Sequence, residues 1–145
     1  MSAALVGSAT LAAPSTAGTS PRTRRAGGIL TGVAGLFLAF DAAIKFLATR
    51  EAVAGTVQLG WAPHHLPILG LLELACLILY LVPRTAPLGA VLWTGYLGGA
   101  IATHLRLDNP LFSHTLFPLY VAACVWGGLY LRDARVRALV VHPAR

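Results

Sequence analysis

Four long apolar runs, each closed by turn-forming residues, leave this chain few ways to fold. They cover residues 26–48, 66–82, 86–105 and 111–131. A helix rising about 1.5 Å per residue needs about 20 residues to cross a hydrocarbon layer about 30 Å thick. In hydrocarbon every backbone N–H and C=O needs a partner within the protein, which leaves helices and closed barrels. Barrel strands alternate apolar and polar residues over about 10 positions, and no such alternation is visible. The expected fold is all-α: an antiparallel bundle of four transmembrane helices. Composition agrees. Of the 145 residues, 57% are hydrophobic and 11% charged, against about 25% charged in soluble domains. A chain so poor in charge cannot coat itself for water, so the lipid bilayer is its expected surroundings.

The breaks between the runs carry the topology. Residues 50–65, with Gly55, Gly60 and Pro63, read as the longest loop; 83–87 reads as a tight connection and 106–110 as a polar turn, since Pro, Gly and Asn-Pro punctuate helix ends. Pro67 falls in the first turn of the second run, where proline is tolerated. Residues 1–25 are mostly small and polar and read as a disordered tail. A signal peptide is not expected there, because a basic start is lacking and Gly7, Ser8 and Pro14 interrupt the apolar stretch. Residues 26–140 form the membrane domain, and 141–145 a short C-terminal tail. With the N-terminus inside, the inner side holds Arg22, Arg24, Arg25, Arg84, Arg132, Arg135, Arg137 and Arg145, and the outer side only Arg50 and Arg106. The positive-inside rule then gives N-in/C-in, in a multi-pass protein of the cell's inner or plasma membrane. The net charge of +6 sits at the ends of apolar runs rather than along one face, so nucleic acid is not an expected partner. Trp61, Trp93, Trp126, Tyr80 and Tyr130 lie near segment ends and read as interfacial aromatics.

Two patterns of small residues stand out, Gly28 with Gly32 and Gly95 with Gly99. Such spacing lets helix backbones approach closely in lipid, within the chain or in a homo-oligomer. Cys76 and Cys124 sit deep in apolar runs without a CxxC pair and read as packing residues.

The polar residues inside the runs are the candidate site. Asp41 and Lys45 lie in the first run, Glu73 in the second, His104 at the end of the third and His114 at the start of the fourth. A charge at mid-bilayer costs about 2.5–3.5 kcal/mol on insertion scales, so these groups must find partners. Counting residues places Asp41 roughly 20 Å from the inner surface and Glu73 roughly 10 Å below the outer one. All five fall in the outer half, and the inner half carries no charged side chain. A shared polar site reachable from outside is expected. Asp41 and Lys45, four apart, suit an ion pair; the plain alternative is a self-neutralised pair with Lys45 snorkelling outward. Glu73 has no charged neighbour one turn away, and its candidate partners are Lys45, His104 and Arg106. It is either a fold-specific hydrogen-bonding group or a proton-handling carboxylate. No ligand pair spaced three or four apart is present, so a metal is not expected. His64 and His65 read as solvated loop residues. Pro118 falls inside the fourth run and is expected to kink it, freeing the carbonyl of His114.

Several segments together resemble the DoxX-like family of small four-helix bacterial membrane proteins. They include Phe40-Asp41-Ala42-Ala43-Ile44-Lys45, Gln58-Leu59-Gly60-Trp61, Leu72-Glu73-Leu74-Ala75-Cys76 and Tyr80-Leu81-Val82-Pro83-Arg84-Thr85. The strongest runs from Thr94-Gly95-Tyr96-Leu97-Gly98-Gly99 to Thr103-His104-Leu105-Arg106. The resemblance spans 26–140. It implies a four-helix membrane fold and, in the wider family, links to quinone-coupled sulfur oxidation and to oxidative-stress complexes. The family positions that map here are Asp41, Lys45, Glu73, His104 and Arg106, none an assigned catalytic residue.

Three functions follow as alternatives. One is a non-catalytic membrane subunit that anchors a membrane-associated oxidoreductase, its outer polar site taking a quinone-like molecule; no cofactor motif is present, and a quinone is the only cofactor left open. The second is a small proton-coupled transporter using Glu73 and Asp41. The third, a stand-alone enzyme, lacks any nucleophile–base pair, phosphate loop or redox cysteine pair.

Overall fold

The computed structural model describes residues 20–141. The tail reading for 1–25 therefore lies mostly outside the described residues, as does that for 142–145. Among the described residues there are six α-helices: α1 (Pro21–Phe46), α2 (Arg50–Gln58), α3 (Leu66–Leu81), α4 (Ala86–Arg106), α5 (Phe117–Arg132) and α6 (Ala134–Val141). A 3₁₀ turn (Pro63–His65) leads into α3, and a π turn (Leu111–Thr115) leads into α5.

Proline explains where the long helices begin. Pro21, Pro67, Pro87 and Pro118 each occupy the first turn of α1, α3, α4 and α5, where no backbone N–H is missed. Helix α1 also starts earlier than its apolar run. The Ser20 hydroxyl caps it by accepting from the Thr23 N–H at 3.2 Å, so Arg22, Arg24 and Arg25 sit on the helix and not in a tail. Pro118 does not kink a continuous helix, contrary to expectation. The break falls upstream in the π turn, and Pro118 stands one residue inside the new helix.

The loop reading of 50–65 is corrected. Ala48 ends α1 with a φ of 49°, Thr49 caps α2 through its hydroxyl, and Gly60 ends that stretch with a φ of 79°. Gly55, read as a break, lies inside α2. At the other end, α6 follows Asp133, whose carboxylate accepts from the Arg135 backbone N–H at 2.9 Å. The Arg135 side chain beside it holds the Asp133 carboxyl below the usual aspartate range.

The four long helices form a ring of contacts: α1 packs against α3 and α5, and α4 packs against the same two. Neighbours run in opposite directions. Thr31 early in α1 meets Tyr80 late in α3, whereas Lys45 at the end of α1 meets Glu73. Thr94 of α4 meets Trp126 of α5, and His104 near the end of α4 meets His114 in the π turn before α5. All the basic residues of 20–31, 83–85 and 132–137 thus gather at one end. There Arg132 donates to the Tyr80 carbonyl at 2.9 Å and Arg135 to the Pro83 carbonyl at 2.8 Å.

The interior is built from Leu38 of α1, Leu77 and Tyr80 of α3, Ala90, Trp93 and Leu97 of α4, and Val121, Val125 and Leu129 of α5. Tyr80 is fully buried and its hydroxyl donates to the Val125 carbonyl at 2.8 Å. The outward faces are apolar as well. Ile29, Leu36, Phe40, Ile68, Leu88 and Val91 are all more than half exposed, far beyond the apolar patches of a water-soluble monomer. Three runs, Pro21–Phe46, Pro63–Leu81 and Leu111–Arg132, are long and apolar enough to cross a membrane. Helix α4 matches them in length at 21 residues, but Gly89, Gly95, Gly98, Gly99, Thr94 and Thr103 dilute its apolarity.

Close approach depends on glycines other than the two expected pairs. At Gly28, Gly32, Gly95 and Gly99 a Cβ would meet nothing within 4 Å. At Gly89 it would collide with the Tyr80 backbone, which cannot yield. Gly89→Ala is expected to destabilise the protein by about 1–3 kcal/mol, the range for overpacking. Chemical unfolding in detergent checks this; an unchanged midpoint would contradict the close α3–α4 packing.

Candidate functional site

Helix geometry places Asp41 and Lys45 one turn apart on α1, near its end. Opposite them, α3 carries Glu73. One turn earlier, Gly70 lets the α1 backbone close in: a Cβ there would lie 2.9 Å from the Phe46 nitrogen and 3.0 Å from the Ala42 carbonyl. That proximity lets one ammonium serve two acids. Lys45 Nζ lies 2.7 Å from Asp41 Oδ2 and 2.5 Å from Glu73 Oε1, with the Tyr96 hydroxyl at 3.4 Å. Of the three partners open to Glu73, Lys45 is the one it meets. The acids differ in setting. The Glu73 side chain is 1% exposed and that of Asp41 30%. Two carboxyl groups thus share one ammonium.

A cavity of about 390 Å³ opens beside this group. Its apolar wall includes Phe37, Leu38, Trp93, Phe117 and Val121; its polar edge is Asp41, Lys45, Glu73, Tyr96 and His104. Gly95 and Gly99 also line it. A second cavity of about 410 Å³ adjoins it, lined by Asn109 and His114 and sharing Asp41, Lys45, Thr56, Leu59 and His104.

The two histidines form the upper tier. Their rings lie edge-on, centroids 5.9 Å apart. His104 Nδ1 is 3.0 Å from the Asn109 amide nitrogen, and His114 Nδ1 is 2.8 Å from the Ser113 hydroxyl. Among the described residues no three His, Cys, Asp or Glu side chains converge to hold a metal ion. Arg106 takes no part: it lines neither cavity and donates to the Leu59 carbonyl at 3.0 Å, tying the end of α4 to the turn after α2. His64 is exposed, whereas His65 is half-buried against Trp61, ring centroids 5.8 Å apart.

Two buried polar atoms of residues beside the cavity, Glu73 Oε2 and Trp93 Nε1, have no hydrogen-bond partner within bonding geometry. The Tyr96 hydroxyl lies within hydrogen-bonding reach of the Glu73 carboxyl group. Buried polar groups are nearly always satisfied, so such exceptions ask for a cause.

Residues 29–128 match the model of the DoxX-like family. The chain belongs to that family. Neither the curated proteins nor the solved structures gave a match. The matched span of this DoxX-like protein contains Asp41, Lys45, Glu73, His104, Arg106 and His114, and ends before α6. Family and apolar helices together make it a multi-pass membrane protein. Trp93 corrects the sequence reading: it is fully buried, not interfacial, and stacks edge-on to Tyr96 with centroids 5.6 Å apart. Tyr96, absent from the candidate residues, belongs with them. The signal was the α4 face on which Trp93, Tyr96, Ala100 and His104 recur at steps of three and four.

Proposed function

We propose that the protein spans the cell's inner or plasma membrane four times, N-in and C-in, as a non-catalytic subunit whose outer-half cavity takes a quinone-like molecule on behalf of a membrane-bound redox partner. The observation that carries this reading is the cavity itself: an apolar, aromatic-lined space of about 390 Å³ with Asp41, Lys45, Tyr96 and His104 on its polar edge. Ligand sites combine apolar lining with a few fixed polar groups in this way. In favour of α4 as a fourth span, its outward face carries Leu88, Val91, Leu92 and Leu105. The clustering of arginines at the end remote from the cavity supports the orientation. The small-residue face at Gly28 and Gly32, open to the surroundings, suits a neighbouring helix of a partner or a second copy.

A proton-coupled carrier has less in its favour. Between the cavity and the basic end, fully buried Tyr80, Ala90, Val125 and Leu129 fill the interior. The test of the main reading is purification in mild detergent followed by titration with decylubiquinone. Saturable binding, with a lipid-soluble ligand or an oxidoreductase co-purifying, is expected. No saturable binding and no companion would overturn it.

A further inference from the structure

The seam between α1 and α5 changes character along its length. At the basic end, backbone lies against backbone: a Cβ at Gly27 would collide with the Arg132 nitrogen, and one at Gly128 with Thr31. At the level of the cavity, aromatic rings take over. Phe37 of α1 and Phe117 at the start of α5 meet edge-on, ring centroids 5.8 Å apart. Both line the cavity, yet Phe37 is 42% exposed and Phe117 46%. Helix periodicity explains this double membership. On α1, Ile29, Val33, Leu36 and Phe40 recur at steps of three and four as the outward face, whereas Leu38, Asp41 and Lys45 line the cavity. Phe37 falls on the edge between the two sets. On α5, Pro118 and Val121 turn inward and Leu119 and Tyr120 outward, and Phe117 again falls between. The pair stands where the cavity meets the hydrocarbon, and it has no hydrogen bond to break when it parts.

The other way in is polar. It leads through the second cavity, past Gln58, Asn109 and His114, beside the turn that Arg106 ties down through the Leu59 carbonyl. An apolar molecule on that route would strip water from groups it cannot hydrogen-bond, which is costly. Size agrees with a lateral route. A space of about 390 Å³ is near the small end of ligand pockets, about 300–1,000 Å³; a ring fits, and a long hydrocarbon tail must leave. Resting on the quinone-like reading above, we infer that the α1–α5 seam is the ligand's entrance: a lipid-soluble ring compound passes sideways from the bilayer between Phe37 and Phe117, and its tail stays behind in the hydrocarbon. The ligand class is then a tailed molecule dissolved in the membrane, not a solute of the surrounding water.

Quinones quench tryptophan fluorescence, and Trp93 lines the cavity. The test uses the full chain in proteoliposomes with Trp61→Phe and Trp126→Phe, which leaves Trp93 as the one tryptophan. Decylubiquinone is added by rapid mixing, and the association rate constant is taken from the concentration dependence of the quenching. Phe37→Ala and Phe117→Ala should each raise that constant about twofold to tenfold, the factor an aromatic pair's own attraction supplies. Arg106→Gln, which releases the turn beside the polar route and touches neither ring, should leave it unchanged. Both phenylalanines are half-exposed, so their loss is tolerated, and thermal unfolding of each variant checks that the fold is kept. An acceleration by Arg106→Gln as large as theirs, or none in either phenylalanine variant, overturns the inference while saturable quenching keeps the ligand site in place. Absence of saturable quenching in the single-tryptophan parent removes the functional reading along with it.

Discussion

Lys45→Met is expected to cost about 3–5 kcal/mol of stability, the range for removing one partner of a buried ion pair. The loss comes less from the attraction removed than from what stays behind. Glu73 is almost fully buried, and without the ammonium its charge faces an apolar wall and a second carboxylate. The order of effects among the three residues follows from their exposure. Asp41→Asn should cost less than about 1 kcal/mol, since a part-exposed pair contributes little. Glu73→Gln should fall between, because the amide oxygen can still accept from Lys45. The decisive result is the double variant. Lys45→Met combined with Glu73→Gln should recover much of the loss, since no uncompensated charge remains. Unfolding midpoints in detergent, combined as a double-mutant cycle, give the coupling. If Lys45→Met proves as mild as Asp41→Asn, Lys45 is snorkelling and the three-membered ion group does not hold.

Trp93→Ala is the second large effect, about 3–5 kcal/mol, the range for emptying a buried aromatic site. The side chain has no exposed surface and sits in a wall shared by the packed interior and the cavity. Its removal enlarges a space of about 390 Å³ that nothing nearby can collapse to fill, since Gly95 and Gly99 line the same wall. Ligand affinity should fall with stability. An interfacial tryptophan at this position would lose far less on truncation, about 1 kcal/mol or under, within the range of surface substitutions. Unfolding measurements on Trp93→Ala therefore distinguish a buried wall residue from an interfacial anchor, and Trp126→Ala, at a part-exposed position, serves as the comparison.

That distinction marks how far the sequence could be read. The long helices were legible because apolar length has one solution in a bilayer, and Pro67 was readable in the first turn of α3, whereas Pro118 read as a kink and turned out to stand in the first turn of α5. Helices α2 and α6 were not, because at nine and eight residues they are too short to stand out as apolar runs, and Gly55 and the arginines around Asp133 look like loop and tail. Asp41 and Lys45 could be paired from their spacing on one helix. The partner of Glu73 could not, because hydropathy gives spans without saying which helix faces which. Gly70 settled that contact, and nothing in its surroundings set it apart from the other glycines. Arg106 sits two residues from His104 in sequence, which puts it on another side of the helix, where it donates to the Leu59 carbonyl. Trp93 lies close to a segment end in one dimension and in the middle of the packed interior in three.

The central claim is that the Asp41–Lys45–Glu73 group walls a ligand cavity, and photolabelling tests it most directly. The full chain in proteoliposomes is irradiated with an aryl-azide quinone probe, with and without excess decylubiquinol, and the labelled peptides are mapped by mass spectrometry. The account expects competed labelling on α4 between Trp93 and His104 and on α3 around Leu69 and Glu73. Labelling confined to outward residues such as Leu88 and Val91, unaffected by the competitor, would contradict it.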